Sequence, residues 1–171
     1  MERADAKSAY QLLEKLNIAY RKVEHPEAGS MEDLAQAEKQ LGAVICKNLF
    51  LCNRQKTVFY LLLIPGGKRF KTSVVSKLIG SSRLSFGEPD KLYELLGVHP
   101  GSVTVLGLMN DKENKVQLVM DKPIHEAENV ACHPCISTST LCFSRQDLLE
   151  KLIPAMGHSP IVVDLPIPEE E

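Results

Sequence analysis

Two apolar runs rich in β-branched and aromatic residues, 44–51 and 57–64, constrain this chain more than any other feature. Asn53-Arg54-Gln55-Lys56 lies between them and Pro65-Gly66-Gly67 ends the second, so the spacing predicts a β-hairpin at the centre of a sheet. The first run contains an anomaly: Lys47 and Asn48 sit between Val44-Ile45-Cys46 and Leu49-Phe50-Leu51. Strand alternation sends one of the two to the buried side. A lysine so placed either snorkels at a sheet edge or faces a pocket that takes an anion, and the residues alone leave both open.

Around the hairpin the chain alternates helices and strands. Asp5 and Ser8 precede Tyr10, Leu12, Leu13 and Leu16 at helical spacing, and 18–23 reads as extended. Ser30-Met31-Glu32-Asp33 has the form of a capping box, and Leu34, Ala37, Glu38 and Leu41 continue a helix that Gly42 closes. Residues 72–78 and 89–96 suit short helices, the latter opened by Pro89 and followed by Gly97, with a strand near 84–86 between them. After the turn-like 110–114, residues 116–120 and 139–143 read as strands, and Ser144-Arg145-Gln146-Asp147 caps a helix through Ile153. The expected fold class is mixed α/β, with a curved, mostly antiparallel central sheet flanked by helices. At 171 residues, without repeat or composition break, the chain is expected to be one domain, 1–171, with a loose acidic, proline-containing tail at about 166–171.

Composition excludes several classes. Met1-Glu2-Arg3-Ala4-Asp5 is charged where a secretory leader needs an apolar core, and no apolar run spans a bilayer, so the expectation is a cytoplasmic protein without a membrane partner. A net charge of −2 gives no global field for long nucleic acid, and DNA is not an expected partner. Basic residues nevertheless gather locally. Lys47, Arg54, Lys56, Lys68, Arg69, Lys71, Lys77 and Arg83 occur with no acidic residue before Glu88. This window is either a solvated face or an RNA contact, for which Lys68, Arg69 and Lys71 are the candidates.

Chemistry-bearing motifs are few. Cys132-His133-Pro134-Cys135 has redox or zinc spacing, but its flanks read as loop entering strand, and a fourth zinc ligand must come from distant Cys142, His99, His125 or His158. No Gly-x-Ser-x-Gly elbow, phosphate loop or dinucleotide fingerprint occurs. The five cysteines read as reduced small hydrophobes, and His25, His125 and His158 as surface residues.

Three further segments carry a resemblance. Val44-Ile45-Cys46-Lys47-Asn48-Leu49-Phe50-Leu51, then Gly97-Val98-His99-Pro100-Gly101-Ser102-Val103-Thr104-Val105-Leu106-Gly107-Leu108-Met109-Asn110-Asp111, then His133-Pro134-Cys135-Ile136-Ser137-Thr138-Ser139-Thr140, resemble in order the YbaK/ProX family of aminoacyl-tRNA deacylases. The likeness covers about residues 5–165 and is greatest to the free-standing prolyl-tRNA editing branch. It implies an α/β editing domain that hydrolyses the ester between a wrong amino acid and the terminal adenosine of proline tRNA, with no metal or cofactor. By resemblance, Lys47, Asn48, Gly101 and His133 form the catalytic set, with Lys47 holding the phosphate or sugar of that adenosine. Gly97, His99, Ser102, Val103, Ser137 and Thr138 would contact the aminoacyl moiety and the attacking water. Such an ester needs only a positioned water, a polarised carbonyl and exclusion of solvent. A ribose hydroxyl is the family's implied activator, and His133 as general base is the second mechanism.

The resemblance implies the acceptor end of proline tRNA as partner and leaves prolyl-tRNA synthetase, an elongation factor, and a monomer or weak homodimer open. A synthetase pocket rejects a substrate smaller by a methylene by only about 1–3 kcal/mol and needs a second sieve. Alanine is the cleared residue that the resemblance implies, because the context of residues 97–104 and the Gly107-Leu108-Met109-Asn110-Asp111 continuation resemble the alanine-clearing branch. Cysteine and serine are the alternative substrates, and a non-catalytic tRNA or translation-factor binding module is the alternative of another class. Two positions depart from the family pattern: Val105 replaces a common proline, and Ser137 replaces a common asparagine after His-Pro-x-x.

Overall fold

The computed structural model describes residues 6–24, 39–40, 42–66, 68–99, 103–133 and 139–166. Eight strands form the sheet: β1 (Arg21–Glu24), β2 (Val44–Cys52), β3 (Phe59–Pro65), β4 (Ser85–Phe86), β5 (Val116–Asp121), β6 (Asn129–Cys132), β7 (Ser139–Ser144) and β8 (Pro160–Val163). Their order is β1-β7-β6-β2-β3-β5-β8, with β4 attached to β2. The expected hairpin is present, with β2 and β3 antiparallel from Cys46↔Pro65 to Cys52↔Phe59. Pairs β1–β7, β6–β7 and β2–β4 are antiparallel as well, while β2–β6, β3–β5 and β5–β8 are parallel. The fold is therefore mixed α/β with antiparallel pairings in the majority.

The unbroken apolar run of β3 has a direct cause: both of its faces are covered. Leu61 and Leu63 enter the larger core cluster, and Leu62 and Ile64 enter a second cluster on the opposite face. On β2 the same alternation sends Cys46, Phe50 and Cys52 to the larger cluster and Leu51 to the second. Helix α1 (Ala6–Lys15) buries Ala9 and Leu13, one turn apart, against the larger cluster. Helix α2 (Thr72–Ile79) covers the second cluster with Val75, and Ser76 Oγ accepts from the Leu84 amide at 3.0 Å. Helix α3 (Pro89–Leu96) buries Leu92, Leu95 and Leu96 and stops where Gly97 turns left-handed at φ 71°.

Several elements were not legible. Residues 129–131, read as loop entering strand, form β6 together with Cys132, and β8, opened by Pro160 and half exposed, went unread although Ile161-Val162-Val163 is a β-branched run. The short helix α4 (Lys122–Glu126) is capped by Asp121. The expected cap at Ser144 holds, its Oγ accepting from the Asp147 amide at 3.1 Å. The helical segment that follows, 145–155, contains a π-turn at Leu148–Leu152, just ahead of Pro154, which has no amide to donate. The helix expected after Ser30 lies outside the described residues, as does the end of the tail. No helix among the described residues is long and apolar enough to cross a membrane.

Candidate functional site

The sheet divides at β2. Its outer edge pairs with β6 only through Val44 and Ile45, and with β4 only through Leu51 and Cys52. Lys47 and Asn48 occupy the interval where, among the described residues, no strand covers that edge. Alternation then separates the two side chains. Asn48 shares the face of Cys46 and Phe50, whereas Lys47 shares that of Leu51, exposed, with its ammonium 6.0 Å from the Phe70 ring.

Asn48 is the unusual member. Its Nδ2 donates to the Cys46 carbonyl at 3.1 Å, which fixes the amide, while its Oδ1 is buried and has no hydrogen-bond partner among the described residues. A buried acceptor left unsatisfied costs about 1–3 kcal/mol, so this oxygen has capacity for a donor.

His133 follows β6 directly. Its Nδ1 lies 2.8 Å from the Ser139 carbonyl, which can only accept, so Nδ1 carries a proton and the neutral ring keeps its basic lone pair on Nε2. The His133 carbonyl accepts from Thr104 Oγ1 at 2.6 Å. Thr104, wholly buried, also caps the 3₁₀ turn Val105–Asn110 by accepting from the Leu106 amide at 3.3 Å. One hydroxyl thus ties the 103–110 segment to His133. Sequence reasoning passed over Thr104, although a threonine immediately before a helical run is a capping signal.

The rest of the 97–111 segment is largely architectural. The Gly97 amide is spent on the Tyr93 carbonyl at 2.9 Å, closing α3, so that N–H is not one of the backbone groups the segment can offer. Gly107 passes so close to Leu96 that an added Cβ would meet that residue's Cβ and carbonyl oxygen at 3.1 Å. Asn110 Nδ2 donates to the same Leu96 carbonyl at 2.9 Å. Asp111 accepts from the Lys115 and Val116 amides at 2.9 and 2.8 Å, and its Oδ2 lies 2.9 Å from His158 Nε2. Burial alone would raise the Asp111 carboxyl, but hydrogen bonds from His158 and the two amides, with the His158 charge, overcome it and hold the group below the ordinary carboxylate value.

His158 is therefore corrected from surface to core: it is 7% exposed, with Nδ1 2.6 Å from the Met156 carbonyl and both ring nitrogens facing acceptors. Val105, the departure from proline, starts the 3₁₀ turn with its side chain in the core. Proline suits that first position for the same backbone, so the exchange leaves the turn intact.

Other candidates scatter. His99 is exposed and stacks on Tyr93 at 4.9 Å, and Val103 packs against the larger core. Gly101, Ser102, Ser137 and Thr138 lie outside the described residues. Arg69 and Lys71 are exposed, but Lys68 is not available as an RNA contact. Its ammonium is 2.6 Å from Asp121 Oδ2, and the two side chains are 10% and 0% exposed. Cys132 is buried, and burial, against a weaker lowering by Thr104, pushes its thiol up to about 12, which removes it as a redox nucleophile near neutral pH. Cys135 lies outside the described residues.

Comparison with known proteins places this arrangement. Residues 25–151 match the aminoacyl-tRNA editing domain family. The chain is 31% identical over 162 residues to the prolyl-tRNA editing protein ProX of Acetoanaerobium sticklandii, covering 94% of this chain and 98% of that one. This chain belongs to the aminoacyl-tRNA editing domain family. The editing domain is also 30% identical over 159 residues to prolyl-tRNA synthetase associated domain-containing protein 1 of Danio rerio, covering 92% of this chain and 85% of that one. A solved structure described as a candidate trans-editing enzyme for prolyl tRNA synthetase shares the fold, with TM-score 0.67 and 21% identity over 94% of this chain and 95% of that one.

Proposed function

We propose that the chain is a trans-editing hydrolase that removes a wrongly attached amino acid, alanine first, from proline tRNA by ester hydrolysis without a metal. The observation that carries the reading is the orphaned Asn48 Oδ1 at the uncovered interval of β2, in a member of the editing family. A terminal aminoacyl-adenosine lying across that edge would meet Lys47 from one face and Asn48 from the other. Lys47 would hold a phosphate or sugar oxygen. Asn48 would accept from the substrate's ammonium or from the attacking water. His133 Nε2, its tautomer set by Ser139, is the group able to take a proton from that water. Gly101 and Ser102, with Ser137 and Thr138, would complete the walls, and the whole of 1–171 would form one editing domain. The acceptor end of proline tRNA is the partner this reading requires.

The test is hydrolysis of proline tRNA charged with alanine, beside the same tRNA charged with proline, cysteine and serine, with chelator present. Expected is chelator-resistant loss of alanine with proline spared, and a fall in rate of about 10²-fold for Asn48→Ala, the scale of one lost polar contact to the reacting centre. Preference for cysteine or serine would keep the hydrolase and change its pocket. Hydrolysis of no ester would leave a tRNA-binding module.

A further inference from the structure

Phe86 is the most exposed large hydrophobic side chain among the described residues, at 61%, while Phe50, Phe59 and Phe143 are buried and Phe70 packs against the second cluster. Its setting is built rather than loose. Both residues of β4 are exposed, so the strand adds no side chain to the core, yet it is pinned along its length. Leu51↔Phe86 and Cys52↔Ser85 pair it with β2, the Gly87 amide donates to the Phe50 carbonyl at 2.9 Å, and Gly87 lies so close over the Phe50 ring that no Cβ fits there.

Phe86 also lies at the end of a stretch of sequence rich in cations, beside an acid, Glu88, that is already paired with Lys56. From residue 47 to residue 87 there is no acidic side chain. Lys68 pairs with Asp121 and Lys56 with Glu88. Lys47, Arg54, Arg69, Lys71, Lys77 and Arg83 are exposed. Phe86 is opposite Leu51, so by alternation it shares a face with Lys47, about 13 Å away along β2. A rigid, exposed aromatic ring among cations is the arrangement that stacks an unpaired base while the surrounding charges meet phosphates.

Resting on the proposed function, we infer that Phe86 is a stacking platform for an unpaired base of the tRNA 3′ end, outside the pocket that holds the ester. The test uses the full chain and a labelled single-stranded RNA ending in cytidine-cytidine-adenosine, with alanyl-tRNA(Pro) and alanyl-adenosine as substrates. Phe86→Ala is expected to weaken RNA binding about tenfold, within the range for loss of one stacking aromatic. It should raise KM on the tRNA with kcat unchanged, and leave hydrolysis of alanyl-adenosine and the unfolding midpoint as in the parent. Phe86→Tyr should restore binding. Unchanged RNA affinity for Phe86→Ala, or an equal loss on both substrates, overturns the inference. A parent that binds the RNA through Phe86 but hydrolyses neither ester would refute the proposed function and leave this contact standing.

Discussion

Replacing Lys68 with methionine separates two readings of the basic window. As an RNA contact, Lys68 would be dispensable for folding. In the structure it neutralises Asp121, whose Oδ1 accepts from the Lys122 and Leu165 amides, both at 3.0 Å, and whose Oδ2 accepts from the Lys68 ammonium at 2.6 Å. Asp121 thereby joins the end of β5, the start of α4 and the chain beyond β8. Methionine fills much of the lysine stem's volume but leaves a buried carboxylate without its counter-charge, at a cost of about 3–5 kcal/mol. For a chain of this length each kcal/mol lowers the unfolding midpoint by about 2–4 °C, so the expected fall is about 6–20 °C.

Thermal unfolding followed by circular dichroism measures this directly. The double change Lys68→Met with Asp121→Asn keeps an amide oxygen for the two backbone donors and removes the unpaired charge, and should recover at least half of the loss. Hydrolysis measured below both midpoints should be unchanged in Lys68→Met. A midpoint within about 2 °C of the parent, the equivalent of less than 1 kcal/mol, together with weakened tRNA binding, would refute the structural assignment.

Three further outcomes are expected. Because Asp111 is held below its unfolded value of about 3.9, its contribution to stability is fully present above that pH and is lost as pH falls through the folded value. Asp111→Asn should therefore flatten the acid limb of the stability curve below about pH 4, seen by urea unfolding across pH. Gly87→Ala should destabilise by about 1–3 kcal/mol, since the Phe50 ring it would strike is buried and stacked on Phe59 at 5.6 Å; an unchanged urea midpoint would show that β4 is free to move. Cys132 should resist alkylation in the folded protein at pH 7.5 and react only on unfolding, which mass spectrometry after iodoacetamide treatment can follow.

The legible parts of the fold were those with local causes. The β2–β3 hairpin followed from two apolar runs around a polar turn, α3 from Pro89 and Gly97, and the Ser144 cap from its own side chain. What escaped depends on partners distant in sequence. β6 is short and becomes a strand by lying between β2 and β7, while β8, a four-residue strand with β-branched Ile161-Val162-Val163, is fixed by adding to β5. Burial of His158 and pairing of Lys68 were equally hidden, because Asp111 and Asp121 lie 47 and 53 residues away. At the candidate site, alternation correctly required one of Lys47 and Asn48 to turn inward, but it could not name Asn48 without knowing which face holds the larger core.

That separation bears on how the family segments divide their work. Gly107, Asn110 and Asp111 belong to a segment that carries the family resemblance, and each is explained by packing: close approach to Leu96, satisfaction of its carbonyl, and the buried pair with His158. Their effect on the site is indirect and runs through Thr104, whose hydroxyl fixes His133 at one end while the 3₁₀ turn it caps is clamped onto α3 at the other. On the proposed function such a site would need few reactive side chains, because the ester is already activated and the fold's task would be to hold an acceptor, a base and an open strand edge in register. Asn48 would supply the acceptor, with a backbone carbonyl fixing its amide, and the Ser139 carbonyl sets the His133 tautomer. On that reading the determinants of chemistry would be backbone positions as much as side chains, in keeping with a sequence that carries no conventional nucleophile motif.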